Sequence, residues 1–330
     1  MRQMRAKVAG AYYHATSRCA FQTFAFEAAS KDMFVKIMRR AEAFSGVKIA
    51  NYCIMDNHFH ILVKVPTRKD VDDAELDRRI AILYGDSKAS SIFKRWEELG
   101  KGGGGAVVKR ERDAYRARMY DISQFMKTLK QRFSLWYTTH HGNLEGSIWQ
   151  GRFHSTLVEN STSALSAVSA YIDLNPVRAG VAGKARDYAW SGFGAAASGD
   201  SAARAGIVGI MAEHLGERAA AKPSWQGEAW KRYKELVSWK EGRAVSLVAA
   251  TQEEEKDTTS SIPSRLAGRE GRLSRGLAFG SSRYVNRAIA EFRDAGTTRT
   301  CVIAFGACGG TLLCCTGRRI RERDALNANE

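Results

Sequence analysis

The sequence predicts an α+β fold: a ferredoxin-like antiparallel sheet with helices on one face, followed by a smaller, mainly helical C-terminal region. Three observations lead there. Segments of strand and helix character follow one another as strand, helix, strand, strand, helix, strand, helix. Only the polar turn Met55-Asp56-Asn57 separates the two middle strands, which marks a hairpin. The two long helical segments each carry an apolar stripe with polar residues opposite, the pattern of a helix lying on a sheet.

The elements are justified in chain order. Tyr12 to Arg18 (YYHATSR) suits a short strand. Ser30 is the expected cap of a helix with Phe34, Ile37, Met38, Ala41 and Phe44 at helical spacing, ending near Gly46. Lys48 to Ile54 (KIANYCI) and His58 to Val65 (HFHILVKV) form the hairpin. From about Pro66 to Met119 the pattern breaks into a charge-rich stretch with the run Gly102-Gly103-Gly104-Gly105. It is expected to be a partly helical insertion with a flexible glycine tip. Asp121 caps a long helix whose stripe is Ile122, Phe125, Met126, Leu129, Phe133 and Trp136, with Gly142 as terminator. Phe153 to Val158 is the last strand of the set. Ser161 or Thr162 caps a final helix that Pro176 must end.

This places a first domain at 1–199, including the insertion at about 66–119, and a second region at 200–330. In the second, residues 200–250 look helical, with Trp225, Trp230 and Trp239 as packing residues. Residues 251–261 (TQEEEKDTTSS) resemble a linker. From Arg265 to Glu330, 12 arginines stand against 6 acidic residues, so that tail is basic.

The whole chain carries a formal charge of +16, which favours a polyanionic partner, above all nucleic acid. No apolar run reaches the ~18 residues of a membrane span. The first 18 residues lack the apolar core of a secretory signal, so a cytoplasmic location is expected. Six cysteines in 330 residues imply no disulfide framework. Cys301, Cys308, Cys314 and Cys315 show no C-x2-C pair and no nearby histidine, so reduced thiols are expected there rather than zinc.

Two places carry chemistry. Side chains alternate along a strand, so His58 and His60 share one face, while Phe59, Ile61, Val63 and Val65 point to the other. Two imidazoles so placed suit a divalent metal that keeps open positions for a phosphate oxygen. A solvated strand face would carry the same pair. In the last helix, TSALSAVSAYIDLNP, Leu165, Val168 and Ile172 make the stripe and Tyr171 lies beside it. Asn175 follows four residues later on the same face as Tyr171. Spacing alone favours Tyr171 as a packing residue, and does not separate it from Tyr115, Tyr120, Tyr137 or Tyr188.

Four segments together resemble the single-tyrosine HUH transposases, particularly the REP-associated tyrosine transposase branch: YYHATSR, NYCIMDNHFHILVKVP, IWQGRFHSTLV and YIDLNPVRAGV, over about residues 10 to 195. The resemblance implies a ferredoxin-like fold and a divalent metal, Mg2+ or Mn2+. It implies cleavage and rejoining of single-stranded DNA at hairpins or palindromic repeats. His58 and His60 match the metal ligands of that motif, Tyr171 the nucleophile that forms a 5′-phosphotyrosine, and Asn175 the third ligand. Gln150, Arg152 and Arg178 fall in the resembling segments as DNA contacts. Lys127 and Arg132, off the apolar stripe of their helix, are further DNA candidates. Asp56 stands where relatives usually have proline, which is expected to loosen the turn. A hairpin-binding protein that does not cut is the alternative. Monomer and homodimer are both open.

Overall fold

The computed structural model describes residues 8–20, 26–142, 147–212, 223–257, 278–293, 301–307 and 310–316. The strands β1 (Tyr12–Arg18), β2 (Lys48–Ile54), β3 (His58–Lys64) and β4 (His154–Val158) form an antiparallel sheet in the order β2-β3-β1-β4. With α1 (Ala28–Ser45) after β1 and α5 (Ile122–His141) before β4, this is the predicted ferredoxin-like arrangement.

Alternation sorts the sheet into two buried faces. Tyr13, Ala15, Phe59, Ile61 and Val63 meet Phe34, Met38 and Ala41 of α1 and Phe125, Leu129 and Phe133 of α5. Aromatic rings interlock there, with Phe34 4.8 Å from Phe59 and 5.1 Å from Phe133, centroid to centroid. The opposite face carries Tyr12, Cys53 and Leu62, and α6 (Thr162–Asp173) covers it with Ala164, Leu165, Val168 and Ile172. Helices on one face therefore describes only α1 and α5. The stripe of α6 needed a second apolar surface, and the even-numbered residues of β1 and β3 supply it.

Local signals act as the sequence suggests in most places. Asp121 Oδ1 accepts from the Ser123 and Gln124 amides at 2.7 and 2.9 Å, and Ser161 Oγ from the Ala164 amide at 3.3 Å. Gly46 closes α1 in the left-handed region at φ 72°. Ser30 does not cap α1: the helix begins at Ala28 and Ser30 is buried inside it. The Pro66 to Met119 segment folds into α2 (Asp73–Tyr84), α3 (Asp86–Lys101) and α4 (Gly105–Arg116). Leu76, Ile80, Leu83, Trp96 and Met119 give it a small core, joined to the domain through Phe44. The glycine run is the turn between α3 and α4.

Beyond residue 199 the chain stays on the same sheet. After the short α8 (Gly192–Ala197), α9 (Ser201–Ala212) lies so close to β2 that a Cβ on Gly206 would sit 2.6 Å from the Ala50 carbonyl oxygen. The long helix α10 (Pro223–Asp257) buries Trp230, Tyr233 and Val237, while Trp239 is exposed. Residues 251–257 continue that helix rather than forming a linker; residues 258–261 lie outside the described set. The described part of this region is mainly helical, as expected, and adds three strands. β5 (Ala278–Gly280) adds to β4 in parallel, and β7 (Gly310–Thr316) and β6 (Cys301–Ala307) extend the sheet to seven strands, with α11 (Ser282–Arg293) between. Much of the basic Arg265 to Glu330 tail, and the Cys308 position, lie outside the described residues.

A buried polar cluster ties α6 to the sheet. β2 carries a bulge between Ile49 and Asn51, so both Ala50 and Asn51 turn toward α6. Asn51 Nδ2 donates to Asp173 Oδ2 at 2.8 Å and to Ser169 Oγ at 2.6 Å. From α10, the Tyr233 hydroxyl donates to the same carboxyl oxygen, and the Phe193 amide donates to Asp173 Oδ1 at 3.2 Å. Burial, only partly offset by these donors, raises the Asp173 carboxyl to about 7.

Two predictions follow. The folded chain keeps the Asp173 proton up to about pH 7, whereas the unfolded chain releases it near 3.8. This contribution to stability is thus present in acid and lost as pH rises through that window. Urea unfolding from pH 5 to 8 should show stability falling by up to a few kcal/mol, with the slope flattened in Asp173→Asn. Gly206→Ala should lift α9 from β2 and cost about 1–3 kcal/mol, read as a lower urea midpoint at unchanged m.

Candidate metal and tyrosine site

The hairpin turn presents the first histidine. The Met55 amide bonds the His58 carbonyl at 2.8 Å, closing the turn. Asp56 holds it rather than loosening it, because its carboxylate accepts from Lys31 Nζ at 2.5 Å. Lys31 is itself buried and lies over the Trp190 ring at 4.5 Å. The turn is thereby pinned to α1.

His58 and His60 stand on the α6 face with ring centroids 5.0 Å apart. Both are held neutral. Burial, then the Arg18 cation, pushes His58 down to about 4, against the opposing pull of Asp56. Burial, then His14, His58 and Arg18, keeps His60 well below the ordinary imidazole range. A neutral imidazole is the form that ligates a metal. Asn57 Oδ1 contacts His58 Nδ1 at 2.6 Å. An amide oxygen only accepts, so Nδ1 carries the proton and Nε2 the lone pair.

Tyr171, half-buried on α6, meets this pair edge-on, its ring 5.7 Å from that of His60. Arg178, on the short helix α7 (Asn175–Arg178) that Pro176 opens, lies 5.2 Å over the tyrosine ring. Asn175 Nδ2 donates to the Tyr171 and Ile172 carbonyls at 2.8 and 3.1 Å. The amide nitrogen thus caps α6. Among the described residues no group of three or more His, Cys, Asp or Glu is arranged to hold a metal ion. A site here therefore needs the two imidazoles plus an oxygen of another type. Two neutral nitrogens and an amide oxygen are a donor set that a divalent ion accepts while keeping positions for other oxygens.

The other sequence candidates scatter. Gln150 is exposed, and its backbone N–H donates to the Arg18 carbonyl at 3.0 Å, next to the strand end that faces His58. Arg152 is exposed one residue past Gly151, whose carbonyl accepts from Lys130. Lys127 and Arg132 ride on α5, which packs on the far face of the sheet; Arg132 lies 5.0 Å over the Tyr84 ring of the insertion. Trp149 belongs to the core, with its Nε1 donating to Ser134 Oγ at 2.8 Å.

Sequence reasoning missed two site residues. His14 is fully buried, and its Nε2 lies 2.9 Å from His60 Nδ1. Arg18 sits opposite His58 in the β1–β3 register. Both lie in YYHATSR, where alternation puts them on one face with Tyr12 and Thr16. Only the pairing of β1 with β3 brings them to the histidines.

A family model described as Transposase IS200 like matches residues 7–78, which span β1 to the first half of α2. That match includes His58 and His60 and stops short of Tyr171. No curated protein matches. Among solved structures, one titled as a REP-associated tyrosine transposase bound to a REP hairpin is similar at 14% identity, over 60% of this chain and 86% of that one, with a TM-score of 0.38. Over residues 7–78, the segment that carries His14, His58 and His60, the chain is similar to the IS200-like transposase family.

Proposed function

We propose that this protein cuts and rejoins single-stranded DNA at hairpin or palindromic repeats, with Tyr171 as nucleophile and a divalent ion, Mg2+ or Mn2+, held by His58, His60 and Asn175. The observation that carries this reading is the meeting of Tyr171 with His60 at 5.7 Å, from elements far apart in sequence. The match to the transposase family over the histidine strand supports it.

A bound ion would polarise a phosphate oxygen. Tyr171 Oη attacks the phosphorus and loses its proton to solvent. The bond from phosphorus to O3′ breaks, and O3′ leaves as a hydroxyl once protonated. The product is a 5′-phosphotyrosine and a free 3′-hydroxyl, and rejoining runs the exchange in reverse with another 3′-hydroxyl. No nucleotide hydrolysis is needed, because the covalent bond keeps the phosphodiester energy. Arg178 over the ring favours negative charge on the Tyr171 oxygen. Arg18, exposed beside His58, is placed for a flanking phosphate. In this reading Tyr171 serves the histidines of its own chain, which the hold of Asn51 and Tyr233 on α6 supports.

The test is a labelled single-stranded hairpin oligonucleotide with Mg2+ or Mn2+, resolved on a denaturing gel. A covalent adduct is expected for wild type. It should be absent in Tyr171→Phe and reduced at least ~100-fold in His58→Ala and His60→Ala. Binding should weaken as salt rises, since phosphate contacts release counterions. An adduct that survives Tyr171→Phe would sink the assignment of the nucleophile. Tight hairpin binding without any adduct would instead identify a binding protein that does not cut.

A further inference from the structure

The His14–His60 contact has a chemical consequence for the metal site just proposed, and the inference rests on that reading. His14 Nε2 and His60 Nδ1 are 2.9 Å apart, the rings are stacked with centroids at 5.1 Å and 16° between planes, and both side chains are buried. A nitrogen–nitrogen contact of this length holds one proton, so one nitrogen donates and the other accepts. There are two arrangements. If His14 donates, His60 carries its proton on Nε2, and that nitrogen cannot bind a cation. If His60 donates from Nδ1, its Nε2 bears the lone pair.

The metal reading selects the second arrangement: a His60 that ligates through Nε2 must carry its proton on Nδ1, and that nitrogen lies 2.9 Å from His14 Nε2. His58 already has this arrangement, since Asn57 Oδ1 accepts from its Nδ1 at 2.6 Å. With both Nδ1 atoms engaged, the two Nε2 atoms become equivalent donors. The β1 register also leaves His14 little freedom to turn: buried Thr156 lies directly across from it on β4, and Tyr171 meets its ring edge-on at 6.0 Å.

We propose that His14 is a positioning residue that holds His60 as the Nδ1–H tautomer, so that His60 Nε2 is free to ligate. His14 does not touch the metal or the DNA. It acts through the ring of His60, as a hydrogen-bond partner behind a ligating histidine typically does.

Long-range 1H–15N correlation spectra of the metal-free protein read the tautomer directly. Wild type should show His60 protonated at Nδ1, and His14→Phe, which fills the same space without an acceptor, should show a mixture or the Nε2–H form. His14→Gln, whose amide oxygen can accept, should restore the wild-type pattern. Wild-type His60 protonated at Nε2 overturns the proposal. Co2+ titration followed by its visible absorption reads the consequence: His14→Phe should bind about 10–100-fold more weakly than wild type, with His14→Gln in between. Equal affinities in His14→Phe and wild type also overturn it. Wild type that binds no Co2+ yet keeps the Nδ1–H tautomer would overturn the metal reading and uphold the tautomer assignment, so the two failures are distinguishable. A folded His14→Phe is established beforehand by its unfolding transition; if that variant does not fold, His14→Gln against His14→Leu gives the same comparison.

Discussion

The arrangement of the site depends on the docking of α6 against β2. A helix that brings a tyrosine to a strand must be held in rotation and in translation, and an apolar stripe alone permits sliding. Here the stop is polar. Asn51, turned inward by the β2 bulge, reaches both Ser169 and Asp173 on α6, and Tyr233 closes the same cluster from α10. Buried hydrogen bonds of this kind contribute little net energy but are costly to leave unmade, so they select one register over its neighbours. Tyr171 lies two residues before Asp173, and its place over the histidines follows from that register.

The electrostatics of the site follow from the same packing. Covering the even-numbered face of the sheet with α6 removes His14 and His60 from water and largely shelters His58. Desolvation keeps the charge off His58 and His60, and Arg18 at the open end adds to the effect. A strand with histidines exposed to solvent would titrate near neutrality; this one presents lone pairs across the physiological range. The turn before it is no less constrained, since Asp56 and Lys31 tie it to α1 and Asn57 sets the orientation of the His58 ring.

The C-terminal region serves this architecture rather than standing apart from it. α9 approaches the β2 backbone at Gly206, α10 supplies Tyr233, and β5 extends the sheet beyond β4. The composition shift after Gly199 marks a change in residue usage, not the edge of the core.

Much was legible from local pattern. The period of two in HFHILVKV put His58 and His60 on one face, and Asp121, Ser161 and Gly46 marked helix ends, because alternation and capping depend on residues only a few positions apart. The same logic failed at Ser30, where the helix begins a turn earlier and the hydroxyl is buried. Which face α6 covers, the bulge that turns Asn51 inward, the partnership of His14 with His60, and the approach of Tyr233 to Asp173 were not legible. Each joins residues from separate elements, and no period or cap encodes the pairing of β1 with β3 or the seat of α10. Sequence alone determined that two imidazoles share a strand face. Tertiary structure decided that a tyrosine faces them and that a third histidine stands behind one of them, because only packing brings distant backbone segments within hydrogen-bond reach.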